Sequence, residues 1–137
     1  MKQAADSSVV IAAVIADHAA HEAADLALSR TSFTIAHAAL EAYSVLTRLP
    51  PPLRLDGPQA SAILDARLPT RWVTLGVEAH RAAGGRLAAA GVSGGATYDG
   101  LIALSAAENE IELLSLDRRA VRTYRTLGLR FRLLDAG

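Results

Sequence analysis

Apolar positions fall into short runs that alternate with longer helical stripes from one end of the chain to the other. Lys2–Ala5 reads as a short first strand leading into Asp6-Ser7-Ser8, and Val9–Ala16 as a short apolar helix. After the turn-like Ala16-Asp17-His18, Ala19–Ser29 predicts a second helix. Ser32–Ile35 is a strand, followed by a helix over Ala38–Arg48. Pro50-Pro51-Pro52 stops that helix, because proline lacks the N–H that a helix interior needs. Pro58–Arg67 predicts a helix with Gly57 and Pro58 at its start, where proline costs nothing. Arg71–Leu75 is a strand and Val77–Ala90 a long alanine-rich helix. Gly91-Val92-Ser93-Gly94-Gly95 is a loop, Thr97–Glu108 a helix, Glu112–Leu116 a strand, Arg118–Thr126 a helix and Arg130–Leu134 the last strand.

Strands separated by helices predict an α/β fold: a mainly parallel central sheet of about four to five strands, flanked by helices on both faces. Residues 1–137 form a single domain in this reading, since neither side of Pro50–Pro52 or Gly91–Gly95 is large enough to fold alone. In such sheets ligands gather beyond the carboxyl ends of the strands, so the positions of the acids become informative. Asp6 follows the first strand and Asp117 follows the run Glu112–Leu116. Asp99 sits in the first turn of the helix leaving the glycine loop. Glu41 is expected in the first turn or so of the helix after Ser32–Ile35. Four acids from four segments thus occupy junctions that one crevice can collect.

Composition narrows the chemistry. Apolar residues make up 51% of the chain but only six residues are aromatic, so alanine, valine, isoleucine and leucine must build the core. No apolar run approaches the roughly 20 residues of a membrane span, and the N-terminus has no signal-peptide pattern; a cytoplasmic protein is expected. Without cysteine, any metal must be held by oxygen or imidazole. The net charge of zero argues against a broad basic nucleic-acid surface. Thirteen of the fourteen basic residues are arginine and Lys2 is the only lysine.

Each acid alone has an ordinary use: Asp117 and Asp6 as helix N-caps, Asp99 as a complement to a helix dipole, Glu41 as a solvated helix residue. Together they mean more. Converging carboxylates repel one another in a low-dielectric cleft, and a protein that gathers them normally neutralises them with metal. An all-oxygen set suits Mg²⁺ or Mn²⁺, and such ions can activate water and stabilise phosphodiester hydrolysis.

Four segments, in order, resemble PIN-domain ribonucleases of the VapC toxin type. They are Asp6-Ser7-Ser8; the segment Glu41-Ala42-Tyr43 through Leu49-Pro50; the loop and helix Gly91 through Ala103 carrying Asp99; and Leu113-Leu114-Ser115-Leu116-Asp117-Arg118-Arg119-Ala120. The resemblance covers essentially the whole chain. It implies a PIN-domain fold with Asp6, Glu41 and Asp99 as metal ligands and catalytic acids. Asp117 would be the fourth acid, helping with a second ion or with the water, and Ser8 and Ser115 would be supporting hydroxyls. It further implies endonucleolytic RNA cleavage leaving a 5′-phosphate, inhibition by a VapB-type antitoxin, and a homodimer; tRNA, rRNA or mRNA are the implied substrates.

Two positions depart from the family pattern. Lys2-Gln3-Ala4-Ala5 is less apolar than the usual first strand, so a short strand is expected. Asn109-Glu110-Ile111 replaces the usual glycine after the helix carrying Asp99, and Asn109 can still take a left-handed cap conformation there. Arg118, Arg119, Arg48 and Arg86 are candidate phosphate contacts, with a solvated helix face as the plain reading for each. His18 and His21 share a helix spacing but lack further ligands, which favours surface or capping roles. His37, four residues before Glu41, is expected to make a structural hydrogen bond, with a contact to the carboxylate or to RNA as the other reading. Trp72 reads as core or dimer surface. The apolar faces of Val9–Ala16 and Val77–Ala90 read either as core or as a groove for a partner helix.

Other phosphate chemistries fit poorly. Receiver domains and haloacid dehalogenase-like phosphatases need a lysine late in the chain, and the phosphatases also need Asp-X-Asp where this chain has Asp6-Ser7-Ser8. A PIN-like module that binds RNA or protein without cutting is the competing reading, and the presence of all four acids counts against it.

Overall fold

Gln3–Ala5 forms strand β1, only three residues long, yet it is the middle of the sheet. The computed structural model describes residues 2–135. Within them β1 is joined by β2 (Phe33–Ile35), β3 (Trp72–Val73), β4 (Glu112–Ser115) and β5 (Phe131–Leu133) in the order β3-β2-β1-β4-β5, every pair parallel. The expected α/β sheet is therefore present, with five strands. The polar start of β1 has a use: the Gln3 side-chain amide donates to Oε1 of buried Glu112 at 2.6 Å, tying β1 to β4.

Successive strand residues point to opposite faces, and both faces of this sheet are covered. Ala5 and Leu114 join one core with α1 (Ser7–Val14), α2 (His21–Ser29), α3 (Ala36–Leu46) and α4 (Gly57–Arg67). Ala4, Ile35 and Leu113 join the other with α6 (Ala96–Glu108) and α7 (Arg118–Thr126). Alanine at both inner positions of β1 keeps the central strand thin, so α1 and α6 can pack close to it. Helix α1 is core: Val9, Val10, Ala12 and Ala13 are all buried, which settles that helix against a partner groove.

The chain order explains where α6 starts. Helix α5 (Val77–Ala89) and α6 form an antiparallel pair. At one end the Gly76 N–H donates to Oε2 of Glu108 at 3.3 Å. At the other, Gly91 turns the chain with φ of 73° and the Val92 N–H donates to the Leu87 carbonyl at 2.9 Å. Gly100 lets the helices meet, since a Cβ there would lie 2.4 Å from Cδ2 of Leu87. Helix α6 ends at β4's entry, so its first turn, with Asp99, lies at the carboxyl ends of the strands.

Several expectations need correction. Helix α3 begins directly after β2 at Ala36, not Ala38, so Glu41 is its sixth residue and sits in the second turn. Strand β3 is two residues rather than five, because the chain leaves the sheet edge to bury Leu75 and reach the start of α5. Trp72 on that edge strand is 50% exposed and is not core. Asn109 has φ of −103°, and the left-handed conformation falls one residue later on Glu110, at φ of 57°. The Ile111 N–H bonds back to the Ala106 carbonyl at 2.9 Å, which fixes the turn at that place.

A side chain with a Cβ is strained in the left-handed region and glycine is not. Glu110→Gly should therefore raise stability by about 0.5–1 kcal/mol, part of the relief being offset by glycine's larger unfolded-state entropy. Urea denaturation of the variant reads this directly, and a midpoint below wild type would contradict it.

Candidate active site at the carboxyl ends of the strands

Strand order reverses beside β1: β2 and β3 build outward on one side, β4 and β5 on the other. Ligands of open parallel sheets bind in the crevice that such a reversal leaves. Asp6 is the first residue beyond β1, and Asp117 lies two residues beyond β4, so the two flank that crevice. Glu41 reaches it from the second turn of α3 and Asp99 from the first turn of α6.

Asp6 is 2% exposed and both its oxygens are engaged. Oδ1 accepts the Ser8 N–H at 3.0 Å, the Val9 N–H at 3.3 Å and the Ser8 hydroxyl at 2.5 Å. The side chain thus caps α1 while belonging to the crevice. Oδ2 accepts the hydroxyl of fully buried Tyr124 at 2.8 Å. Burial pushes the Asp6 carboxyl above its ordinary value, and the hydrogen bonds from Ser115, Ser8, Tyr124 and Val9 pull it part of the way back. Ser8 also joins the two sides of the crevice, since its Oγ accepts the Leu116 N–H at 2.9 Å. Ser115, fully buried, accepts the Asp117 N–H at 3.0 Å on its Oγ. Asp117 itself caps α7 through Arg119 N–H at 2.8 Å.

Asp99 reports how the acids act on each other. Its carboxyl is pushed up to about 6, first by burial and then by the charges of Glu41, Asp117 and Asp6. All four acids therefore share one electrostatic environment. Glu41 accepts the Ser7 hydroxyl on Oε1, and Nε2 of His37 lies 3.9 Å from its Oε2. His37 also stacks on Tyr98, with ring centroids 5.4 Å apart and planes 8° from parallel.

The donor chemistry fits a hard divalent cation, being all oxygen and in need of neutralisation. Among the described residues, however, no three acids or histidines are gathered to ligand spacing as they stand. The protein's own hydrogen bonds to Asp6 and Glu41 hold these carboxylates in the present arrangement.

The remaining residues fall out as follows. Arg118 and Arg119 are exposed at the start of α7, just past Asp117. Arg86 is exposed in the last turn of α5, at the end where α6 begins. Arg48, also exposed, lies seven residues past Glu41, about 10 Å further along the helix direction. None of the four is ion-paired among the described residues. His18 and His21 serve the backbone: Nδ1 of His18 accepts the Ala20 N–H at 3.0 Å, and Nδ1 of His21 is 2.9 Å from the Ala12 carbonyl. Ser7 and Tyr124 are the residues that sequence reading missed. Tyr124's partner is 118 positions away and carries no local signal; the clue available was a large aromatic in an otherwise charged helix, whose hydroxyl needs a partner if buried.

Sequence comparison agrees with this geometry. Residues 4–126 match the PIN domain family, and the chain belongs to that family. It is 44% identical over 124 residues to the protein named Ribonuclease VapC40 of Mycobacterium tuberculosis, covering 90% of this chain and 92% of that one. To Ribonuclease VapC27 of the same species it is 39% identical over 127 residues, 92% of each chain.

Two outcomes follow from the site. The folded-state value of Asp99 lies above its ordinary 3.8, so the folded protein binds that proton more tightly than the unfolded chain. Stability tied to Asp99 is thus present at low pH and lost as pH rises from about 4 through about 6, and Asp6 acts in the same direction. In metal-free thermal melts, Asp99→Asn should gain on wild type as pH rises through that window. The gain is on the order of 1 kcal/mol after allowing for screening of a half-buried group; a constant gap between the two proteins would show that the acids do not interact.

Tyr124→Phe keeps the ring, and its tilted packing on Phe131, but leaves Oδ2 of buried Asp6 without a donor. Leaving a buried acceptor without its donor predicts a cost of roughly 1–3 kcal/mol. Denaturant unfolding measures it, and a neutral substitution would mean that the bond does not stabilise the folded protein.

Proposed function

We propose that this protein is a metal-dependent endoribonuclease of the VapC toxin type. The observation that carries the proposal is the placement of Asp6, Asp99 and Asp117 at the carboxyl ends of the strands, with Glu41 in the second turn of α3 and Asp99 raised by the charges of the other three. Its relatives are named as ribonucleases, which supports hydrolysis of RNA as the reaction. Mg²⁺ or Mn²⁺ is the proposed cofactor, with Asp6, Glu41 and Asp99 as ligands and Asp117 as the fourth acid. Such an ion would supply Lewis-acid stabilisation of the phosphodiester and activation of water.

The chain's own groups do the rest. Ser8 and Tyr124 hold Asp6 in one rotamer, and Ser7 does the same for Glu41. Burial and the charges of the other three acids raise Asp99 to about 6, and a cation bound beside it would oppose that rise. Arg118, Arg119 and Arg86, at the same end of the sheet, supply positive charge for a phosphate approaching an acidic cleft; Arg48 is the weakest of the four on position. Binding would require the acids to move from their present arrangement to ligand spacing.

The proposed partners are an RNA substrate, a VapB-type antitoxin and a second copy of the chain, acting in the cytoplasm; the last two rest on membership of the VapC group. Among the described residues no helix is long and apolar enough to cross a membrane. A PIN-like module that binds without cutting is the second reading. The observation on its side is that the acids are not already gathered to ligand spacing.

The deciding experiment incubates purified, antitoxin-free protein with total small RNA, in Mn²⁺, in EDTA, and as the variants Asp6→Asn, Glu41→Gln and Asp99→Asn. Discrete fragments are expected with Mn²⁺ and should vanish in EDTA and in each variant, while the variants stay folded by circular dichroism. Cleavage surviving in all three variants would remove the acids from the mechanism. No cleavage together with no Mn²⁺-induced shift in melting temperature would favour the binding module.

A further inference from the structure

His37 and Tyr98 come from different helices, α3 and α6, yet lie flat against each other at the rim of the crevice. Each is tied to a site acid. Nε2 of His37 is 3.9 Å from Glu41, and Tyr98 directly precedes Asp99. The pair is not core: Tyr98 is 54% exposed and the His37 side chain 29%. Tyr98 thus presents about half of a large aromatic ring to solvent beside the acids.

The geometry limits the use. At 8° between planes and 5.4 Å between centroids the rings are parallel and offset, so the outer part of the Tyr98 ring stays open to a third planar group. The acids beside it repel phosphates, so a grip that does not depend on charge would add to the positive charge that the arginines supply. Base stacking is such a grip, and it is open only to unpaired bases, since a base within a helix already has both faces covered.

We infer that the stacked His37–Tyr98 pair is a platform for one unpaired RNA base next to the phosphate being cut. The inference rests on the ribonuclease reading and deepens it: a named pair of side chains beside Glu41 and Asp99 receives the base at the cut. Tyr98 provides the stacking face, and His37 behind it holds the ring parallel.

The test measures fluorescence anisotropy of a short fluorescein-labelled RNA, single-stranded or annealed to its complement. All proteins carry Asp6→Asn, which stops cleavage at a position away from the platform, and all are measured in Mg²⁺. Tyr98→Ala should weaken binding of the single strand by roughly 5- to 150-fold, the range of one stacked base, while Tyr98→Phe keeps the ring and should stay within about twofold. The duplex should bind weakly to all three. Replacing nucleotides one at a time by abasic residues should reveal one position at which Tyr98→Ala costs nothing more. Equal affinity of Tyr98→Ala and its parent, or the same loss at every abasic position, would overturn the platform while leaving the nuclease reading intact. If the Asp6→Asn protein bound no RNA at all while the unmutated protein left RNA uncut, the nuclease reading would fall and the platform with it.

Discussion

The buried carboxylate of Asp6 ties together more of this molecule than any other group. Its two oxygens are held by the start of α1, by the Ser8 hydroxyl that also takes the Leu116 N–H, and by Tyr124 from α7. Through these bonds one side chain fixes β1, α1, the end of β4 and α7 relative to each other. A buried acid is expensive unless nearly all of its hydrogen-bonding capacity is met, and here it is met by backbone and hydroxyl donors instead of an arginine or lysine. That choice keeps the crevice negative. A cationic partner would have stabilised Asp6 more strongly, but it would also have cancelled the negative charge that Asp6 adds beside Asp99.

The same constraint organises the other acids. Asp99 stands high because it is partly buried and because three more carboxylates face it. The protein tolerates this by distributing smaller compensations: Ser7 for Glu41, the α7 N-terminus for Asp117, Ser115 between the two sides. Stability at this end of the sheet is thus lower than packing alone would allow, a cost commonly found where a site must bind charge. On both faces of the sheet, apolar layers rich in alanine and leucine pack against it, and among the described residues no buried side-chain polar atom lacks a hydrogen-bond partner.

Parallel order and site position reinforce each other. A five-stranded parallel sheet with a reversal beside its central strand leaves one crevice at its carboxyl end. The antiparallel α5–α6 pair returns the chain to that end, and the close approach at Gly100 sets the helices' separation. Asp99 and Tyr98 are delivered there together, so the acid and the exposed ring beside it share one structural cause.

How much of this was written in the sequence differs from element to element. Every strand and helix was visible in the alternation of apolar runs and helical stripes, because local periodicity and the glycine and proline stops are properties of neighbouring residues. Asp6, Asp99 and Asp117 were visible for a related reason: each sits at a junction, and junction positions follow from element boundaries, whereas Glu41, expected near the helix start, lies in the second turn of α3. Boundaries were the weak point. Helix α3 starts two residues early because the chain can run from strand into helix without a break, and β3 shrinks because burial of Leu75 outweighs pairing at an exposed edge. The left-handed residue moved from Asn109 to Glu110 because the Ile111–Ala106 bond, not residue preference, fixed the turn. Contacts between distant residues were out of reach: Tyr124 on Asp6, Ser8 on Leu116 and His37 on Tyr98 depend on the packing of separate elements. Local pattern, then, determined the elements and which acids stand at their ends. Only the tertiary structure decided which groups hold those acids and what their charges do to one another, because hydrogen bonding and desolvation depend on distance in space rather than on distance along the chain.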